Sequence, residues 1–135
     1  MECDATWWLE APHGLEVGGS GLCATLRDYG RLGLFLMNGG VAADGEKILP
    51  DGWVREACSP RIIGGAPTAY GYLVRPLEAP AHEGAFEARG IFGQHLYINP
   101  REQVVIVVWA AQPKPTGSAV IADADFFAAA TAALR

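Results

Sequence analysis

Apolar residues recur at helical spacing in the first half of the chain and at strand spacing from Tyr70 onward. Leu22, Leu26, Tyr29, Gly33 and Leu36 step by three or four residues, which predicts a helix over 24–38 with those residues on its buried face. Thr25-Leu-Arg-Asp28 reads as a capping box, in which the Thr hydroxyl and the Asp carboxylate satisfy free backbone N–H groups. Asn38-Gly39-Gly40 stops the helix, because glycine takes a left-handed conformation without steric cost. Ahead of it, residues 1–21 carry Trp7, Trp8, Pro12, Gly14, Gly18, Gly19 and Gly21. They fit no period and predict an irregular segment ending in a Gly-Gly-Ser-Gly turn.

Ile48 through Trp53 reads as a short extended piece leading into a small helix through Cys58, which Pro60 ends. Antiparallel strands are expected within 70–111: Tyr70–Val74, Phe86–Gly90, and a hairpin of His95–Ile98 with Val104–Trp109 around an Asn-Pro turn. Val104 through Trp109 is apolar at every position, so both its faces should be covered. Pro113 and Pro115 break the chain before a closing helix over 119–135, capped by Asp123 or Asp125, with Phe126, Phe127, Ala130 and Leu134 inward. The order predicts an α+β fold, an α/β layered arrangement in which helices flank an antiparallel sheet of three to four strands. No internal repeat or interdomain linker interrupts it.

Composition narrows the function classes. At 135 residues the chain suits one domain; half its residues are apolar and 19% are charged, so it is globular. A formal charge of −5 with no basic stripe argues against nucleic acid and anionic membrane as partners. No apolar run approaches the ~20 residues that span a bilayer. Met1-Glu2-Cys3-Asp4 lacks the features of a secretory leader, giving an expectation of a cytoplasmic chain. Cys3, Cys23 and Cys58 form no Cys-x-x-Cys pair and read as reduced, small buried residues rather than a disulfide framework or zinc site.

The candidate chemistry is sparse. His13, His82 and His95 match no metal-ligand spacing, so no metal and no cofactor is expected; they read as surface or hydrogen-bonded polar residues. His95, at the start of a strand after a Gly-x-x-Gly turn, can face a cleft. Ser20, Ser59 and Ser118 lie outside any Gly-x-Ser-x-Gly, and Ser20 reads as a turn residue. Tyr97-Ile-Asn99 fits a loose Tyr-x-Asn pattern, yet it runs straight into a hairpin turn, and it reads as coincidence. Gly90-Ile91-Phe92-Gly93-Gln94 places two poor sheet formers at a strand edge. Either a bulge or the close approach of a substrate to exposed backbone would account for them.

Five stretches in order resemble the serine β-lactamase and penicillin-binding-protein-like hydrolases, in particular the esterase and 6-aminohexanoate-dimer hydrolase branch. They are Gly18–Gly33, Ile48–Trp53, Tyr70–Leu73, Gly90–Pro100 and Val105–Trp109. The resemblance implies an acyl-enzyme mechanism on amide or ester bonds. A serine of Ser-x-x-Lys attacks, and a Lys-Thr-Gly-type strand supplies an oxyanion N–H. Ala88-Arg89-Gly90 stands where that Lys-Thr-Gly would stand, which implies the Ile91 N–H as oxyanion donor and Gly90, Ile91 and Phe92 as substrate-binding residues. The missing lysine favours a small neutral amide or ester over a penicillin. Val74 and Arg75 stand where the branch tends to carry two tryptophans.

The lysines then decide what the chain lacks. The residue three before Lys47 is Asp44, and three before Lys114 it is Ala111, so neither completes Ser-x-x-Lys. Residues 1–135 are therefore expected to form the C-terminal part of such a hydrolase domain, inactive alone. Its expected partner is a missing N-terminal half. The rival expectation is a non-catalytic binding domain that self-associates through an exposed apolar sheet surface. A metal or nucleotide enzyme has no supporting motif.

Overall fold

The computed structural model describes residues 1–78, 80–115 and 122–135. Helix α1 (Leu26–Met37) and the short α2 (Trp53–Ala57) precede a small hairpin of β1 (Ile62–Ile63) and β2 (Ala66–Pro67). The strands β3 (Arg75–Pro76), β4 (Phe86–Arg89), β5 (His95–Asn99) and β6 (Val104–Val108) follow, and α3 (Asp123–Ala133) closes the chain. The last four strands form one antiparallel sheet in sequence order, β3-β4-β5-β6.

Strand alternation builds two cores on the two faces of this sheet. Phe86, Leu96 and Ile98 point to one face and meet Leu32, Leu36 and Met37 of α1, with Val105 and Val107 beside them. Ala85, Tyr97, Val104 and Phe127 make the other core, beneath α3. Helix α1 comes close because Gly33 has no side chain: a Cβ there would lie 2.5 Å from Val105 Cγ1 and 3.0 Å from Leu96 Cδ1. The Val-rich β6 is thus flanked by helices on both faces as expected, but Val105 through Val108 stay only half-buried and Trp109 is exposed.

Local chemistry accounts for the helix ends. Thr25 Oγ1 accepts from the Asp28 N–H at 3.1 Å, as the capping box requires. The carboxylate does not complete the box; Asp28 is fully buried and accepts from the N–H groups of Glu2 and Cys3 instead. The helix stops at Asn38, followed by Gly39 and Gly40 with φ of +70° and +85°. Leu26, placed on the buried face by spacing, is exposed at the first turn.

Other expectations change. Tyr70–Val74 is not a strand. Leu73 has φ +62°, Gly71 donates to Val74 O, and Tyr72 donates to Ala57 O, so the segment turns against the end of α2. A Cβ on Gly71 would collide with the Ala57 carbonyl. In α3, Phe127 and Thr131 are the buried pair, whereas Phe126 and Leu134 are exposed. Its N-cap is Ala122, with no side-chain cap from Asp123 or Asp125. The expected start of that helix, 119–121, lies outside the described residues, as does Ser118. Cys3 and Cys23 are exposed rather than buried; Cys58 is half-buried, and all three thiols are free.

Candidate functional site

The register of β4 identifies its accessible side. Arg75 pairs with Glu87 and Pro76 with Phe86, and Leu77 N–H donates to Ala85 O at 2.9 Å. Antiparallel alternation therefore sends the N–H and C=O of Ala85, Glu87 and Arg89 toward β3. The partner due opposite Arg89 is Leu73, whose left-handed backbone has already left the sheet. Strand β4 thus has a bare edge from Ala88 onward, and the Arg89 N–H finds no backbone partner among the described residues.

That edge runs into the turn that joins β4 to β5. Gly90 N–H donates to Gln94 O at 2.8 Å and Gly93 N–H to Gly90 O at 3.3 Å, with Gly93 at φ +86°. This is a three-residue loop closed by a left-handed glycine bulge, so a bulge accounts for Gly93. Gln94 holds the loop down: its Oε1 accepts from Phe92 N–H at 3.2 Å and its Nε2 donates to Ala110 O at 2.5 Å. Ile91 and Phe92 are exposed at the tip, and the Ile91 N–H makes no hydrogen bond among the described residues. Gly90, Ile91 and Phe92 are therefore contiguous, accessible and rigidly supported.

Behind the edge sits a buried polar set that spacing did not reveal. His95 Nδ1 lies 2.8 Å from Glu87 Oε2, and both side chains are almost wholly enclosed. His95 Nε2 lies 3.2 Å from Asp123 Oδ2 but off the line of a hydrogen bond, and Arg89 Nη2 reaches the same oxygen at 3.4 Å. The expectation that His95 faces a cleft is corrected: it packs edge-on against Phe127, ring centroids 5.4 Å apart. The available signal was a lone acid on an apolar strand, diagonal to a histidine on the next. A groove of about 440 Å³, lined by Arg75, Leu77, Glu87, Arg89, Asp123 and Phe127 among others, opens beside this set.

The remaining candidates fall elsewhere. Tyr97 is fully buried, stacked on Phe127 at 4.7 Å, and its hydroxyl accepts from Asn99 Nδ2 at 3.0 Å, so Tyr97-x-Asn99 is part of the core. His82 is buried with its Nδ1 3.4 Å from the same hydroxyl. Ser59 donates to Arg55 O, and Ser20 sits in the predicted turn. No group of three or more His, Cys, Asp or Glu among the described residues is arranged to hold a metal ion.

Comparison with known proteins gives this geometry a family. A 6-aminohexanoate-dimer hydrolase of Paenarthrobacter ureafaciens is 32% identical over 114 residues, covering 76% of this chain and 28% of the relative. A solved structure from Bacillus anthracis, provisionally designated a 6-aminohexanoate-dimer hydrolase, superposes with a TM-score of 0.59 at 28% identity. It covers 84% of this chain and 28% of its own. The chain thus spans little more than a quarter of the length of these relatives. The family profile described as Beta-lactamase matches residues 2–130. The chain belongs to the beta-lactamase family.

Proposed function

We propose that this chain forms the oxyanion side of a serine hydrolase site for neutral amide or ester bonds, and that it does not turn over alone. The carrying observation is the bare end of β4, where the unpaired Ile91 N–H is exposed on a turn fixed by Gln94. A fixed N–H stabilises the negative charge that develops on a carbonyl oxygen under attack, without reorganising during the reaction. The attacking serine and its base would come from residues outside this sequence, since neither Lys47 nor Lys114 has a serine three residues before it. The names of the two relatives support hydrolysis as the reaction. The cation on this strand is Arg89, engaged with Asp123 at 3.4 Å, and no lysine stands on the strand, which favours an uncharged substrate.

The purified chain should leave nitrocefin and p-nitrophenyl acetate at their background rates. Fused behind the N-terminal part of the Paenarthrobacter hydrolase, it should support ester hydrolysis. That activity should fall about 100-fold in Ile91→Pro, which removes one oxyanion donor. Ile91 is the second residue of the turn closed by Gly93 N–H on Gly90 O, and its own N–H is unbonded, a position that accepts proline, so the fold should survive. Turnover by the isolated chain at about 1 s⁻¹ or faster would overturn the reading. So would a folded chimera whose activity Ile91→Pro leaves unchanged.

A further inference from the structure

The buried polar set behind β4 contains a titratable ring that the oxyanion chemistry leaves unused. Directly opposed residues of an antiparallel pair share a face, so Arg89 and His95 stand together beneath α3, with Glu87 on the diagonal. Their contacts form a path. Glu87 Oε2 lies 2.8 Å from His95 Nδ1, His95 Nε2 lies 3.2 Å from Asp123 Oδ2, and that oxygen lies 3.4 Å from Arg89 Nη2. The path starts and ends on β4 and passes through β5 and the first residue of α3.

The His95 ring meets an acid at each nitrogen. Its side chain is 1% exposed and that of Glu87 is 7% exposed, so water completes neither group. A carboxylate enclosed that far is costly unless it is paired and hydrogen-bonded, and Nδ1 is the partner at hand. Nδ1 therefore carries a proton. Nε2 is buried without a hydrogen bond, beside the second carboxylate. A bare Nε2 would set a lone pair against an anionic oxygen, whereas an N–H is attracted to it even off the hydrogen-bond line. The surrounding charges do not supply this balance. Arg75 stands opposite Glu87 on β3 and lines the adjoining groove with Glu78, and Asp125 is exposed on α3; none of the three is ion-paired with the set. Val108, opposite His95 on β6, is apolar.

We propose that His95 is an imidazolium in the folded chain, protonated on both ring nitrogens, and is a positioning residue that fixes the end of β4 against the start of α3. Charge then alternates along the path, with Glu87 negative, His95 positive, Asp123 negative and Arg89 positive, and it sums to zero. A neutral ring would leave one net negative charge in a largely enclosed place. Arg89 is the last residue of β4 and precedes the Gly90–Gln94 turn, so the path holds the strand end that carries the Ile91 N–H. The charge state is independent of the hydrolase reading, while its bearing on catalysis rests on that reading.

An imidazole free in water at pH 7 is mostly neutral. Long-range proton–nitrogen NMR of the full chain at that pH should instead show both His95 ring nitrogens protonated; a bare nitrogen at either position would overturn the proposal. Asp123→Asn should speed hydrogen exchange at the Phe126 and Phe127 amides about tenfold. Asp125→Asn removes an exposed acid from the same first turn and should change it by about threefold at most. Exchange no faster in Asp123→Asn than in Asp125→Asn would also overturn the proposal, because a bare Nε2 would gain a donor from asparagine. In the fused hydrolase, His95→Gln should lower kcat about tenfold at unchanged KM. If Ile91→Pro lowers activity there and His95→Gln leaves kcat alone, the positioning role falls and the hydrolase reading stands. If neither variant changes activity, both fall, and the ring spectrum of the unmodified chain still decides the charge state.

Discussion

Asp28 Oδ1 accepts the backbone N–H of Glu2 at 2.7 Å, so a carboxylate buried in the first turn of α1 holds a segment 26 residues away. The same carboxylate takes the Cys3 N–H, the Thr25 hydroxyl and an Arg31 guanidinium N–H. The Glu2 N–H does most to hold its pKa down at about 2, against burial, which pushes it up. A carboxylate with a depressed folded pKa contributes stability that is present above its ordinary value of 3.8 and lost as pH falls through about 2. Thermal melts should therefore fall between pH 4 and 2. Asp28→Asn should remove that contribution and lower the melting temperature at neutral pH. A variant melting like the parent at pH 7 would show that the clamp contributes nothing.

Gly33 and Gly30 offer a paired test of helix-to-sheet distance. Gly33→Ala would push a methyl group against Val105 and Leu96, and overpacking of this kind costs about 1–3 kcal/mol. At Gly30 a Cβ meets nothing within 4 Å, so Gly30→Ala should stabilise by about 0.5–1 kcal/mol through helix propensity. Urea unfolding of both variants should give shifts of opposite sign.

Phe127 should carry most of the docking energy of α3. It is buried, stacked on Tyr97 and edge-on to His95. Phe127→Ala should cost about 3–5 kcal/mol, whereas Phe126→Ala, on the half-exposed neighbour, should cost no more than about 1 kcal/mol. Equal losses in chemical denaturation would mean that the helix is rotated from the arrangement described.

The thiols should label in two classes. Burial pushes the Cys58 thiol up to about 11, leaving little thiolate at pH 8, while Cys3 and Cys23 are exposed. Iodoacetamide followed by peptide mass mapping should find Cys3 and Cys23 modified well before Cys58.

Much of the fold was legible because period and turn chemistry agreed. Helix α1, its glycine stop and the β5–β6 hairpin all follow from spacing and turn residues. The failures have separate physical causes. Tyr70–Val74 has strand composition, but Leu73 turns left-handed where the chain passes α2, a long-range constraint that composition does not carry. Helix α3 is so rich in alanine that no stripe distinguishes Phe126 from Phe127. The Asp28 clamp was half visible: Thr25 identified the cap, while the Glu2 contact needs the fold. At the site, the turn at Gly90–Gln94 was readable, but the bare β4 edge depends on where β3 ends. The Glu87–His95–Asp123 set joins three elements, and of these only the diagonal Glu87–His95 pair on neighbouring strands had a signal in the sequence.

The meander also constrains the order in which the molecule can assemble. Each of the last two ladders closes over a loop of three or four residues, so little chain entropy opposes them. Docking α1, by contrast, joins segments separated by about half the chain's length. The expected nucleus is the 86–108 sheet, zipping outward from its two turns, with α1 and α3 condensing on it afterwards. Substitutions in the turns at 91–93 and 100–103 should then slow folding. Substitutions at Gly33 and Phe127 should act mainly by speeding unfolding.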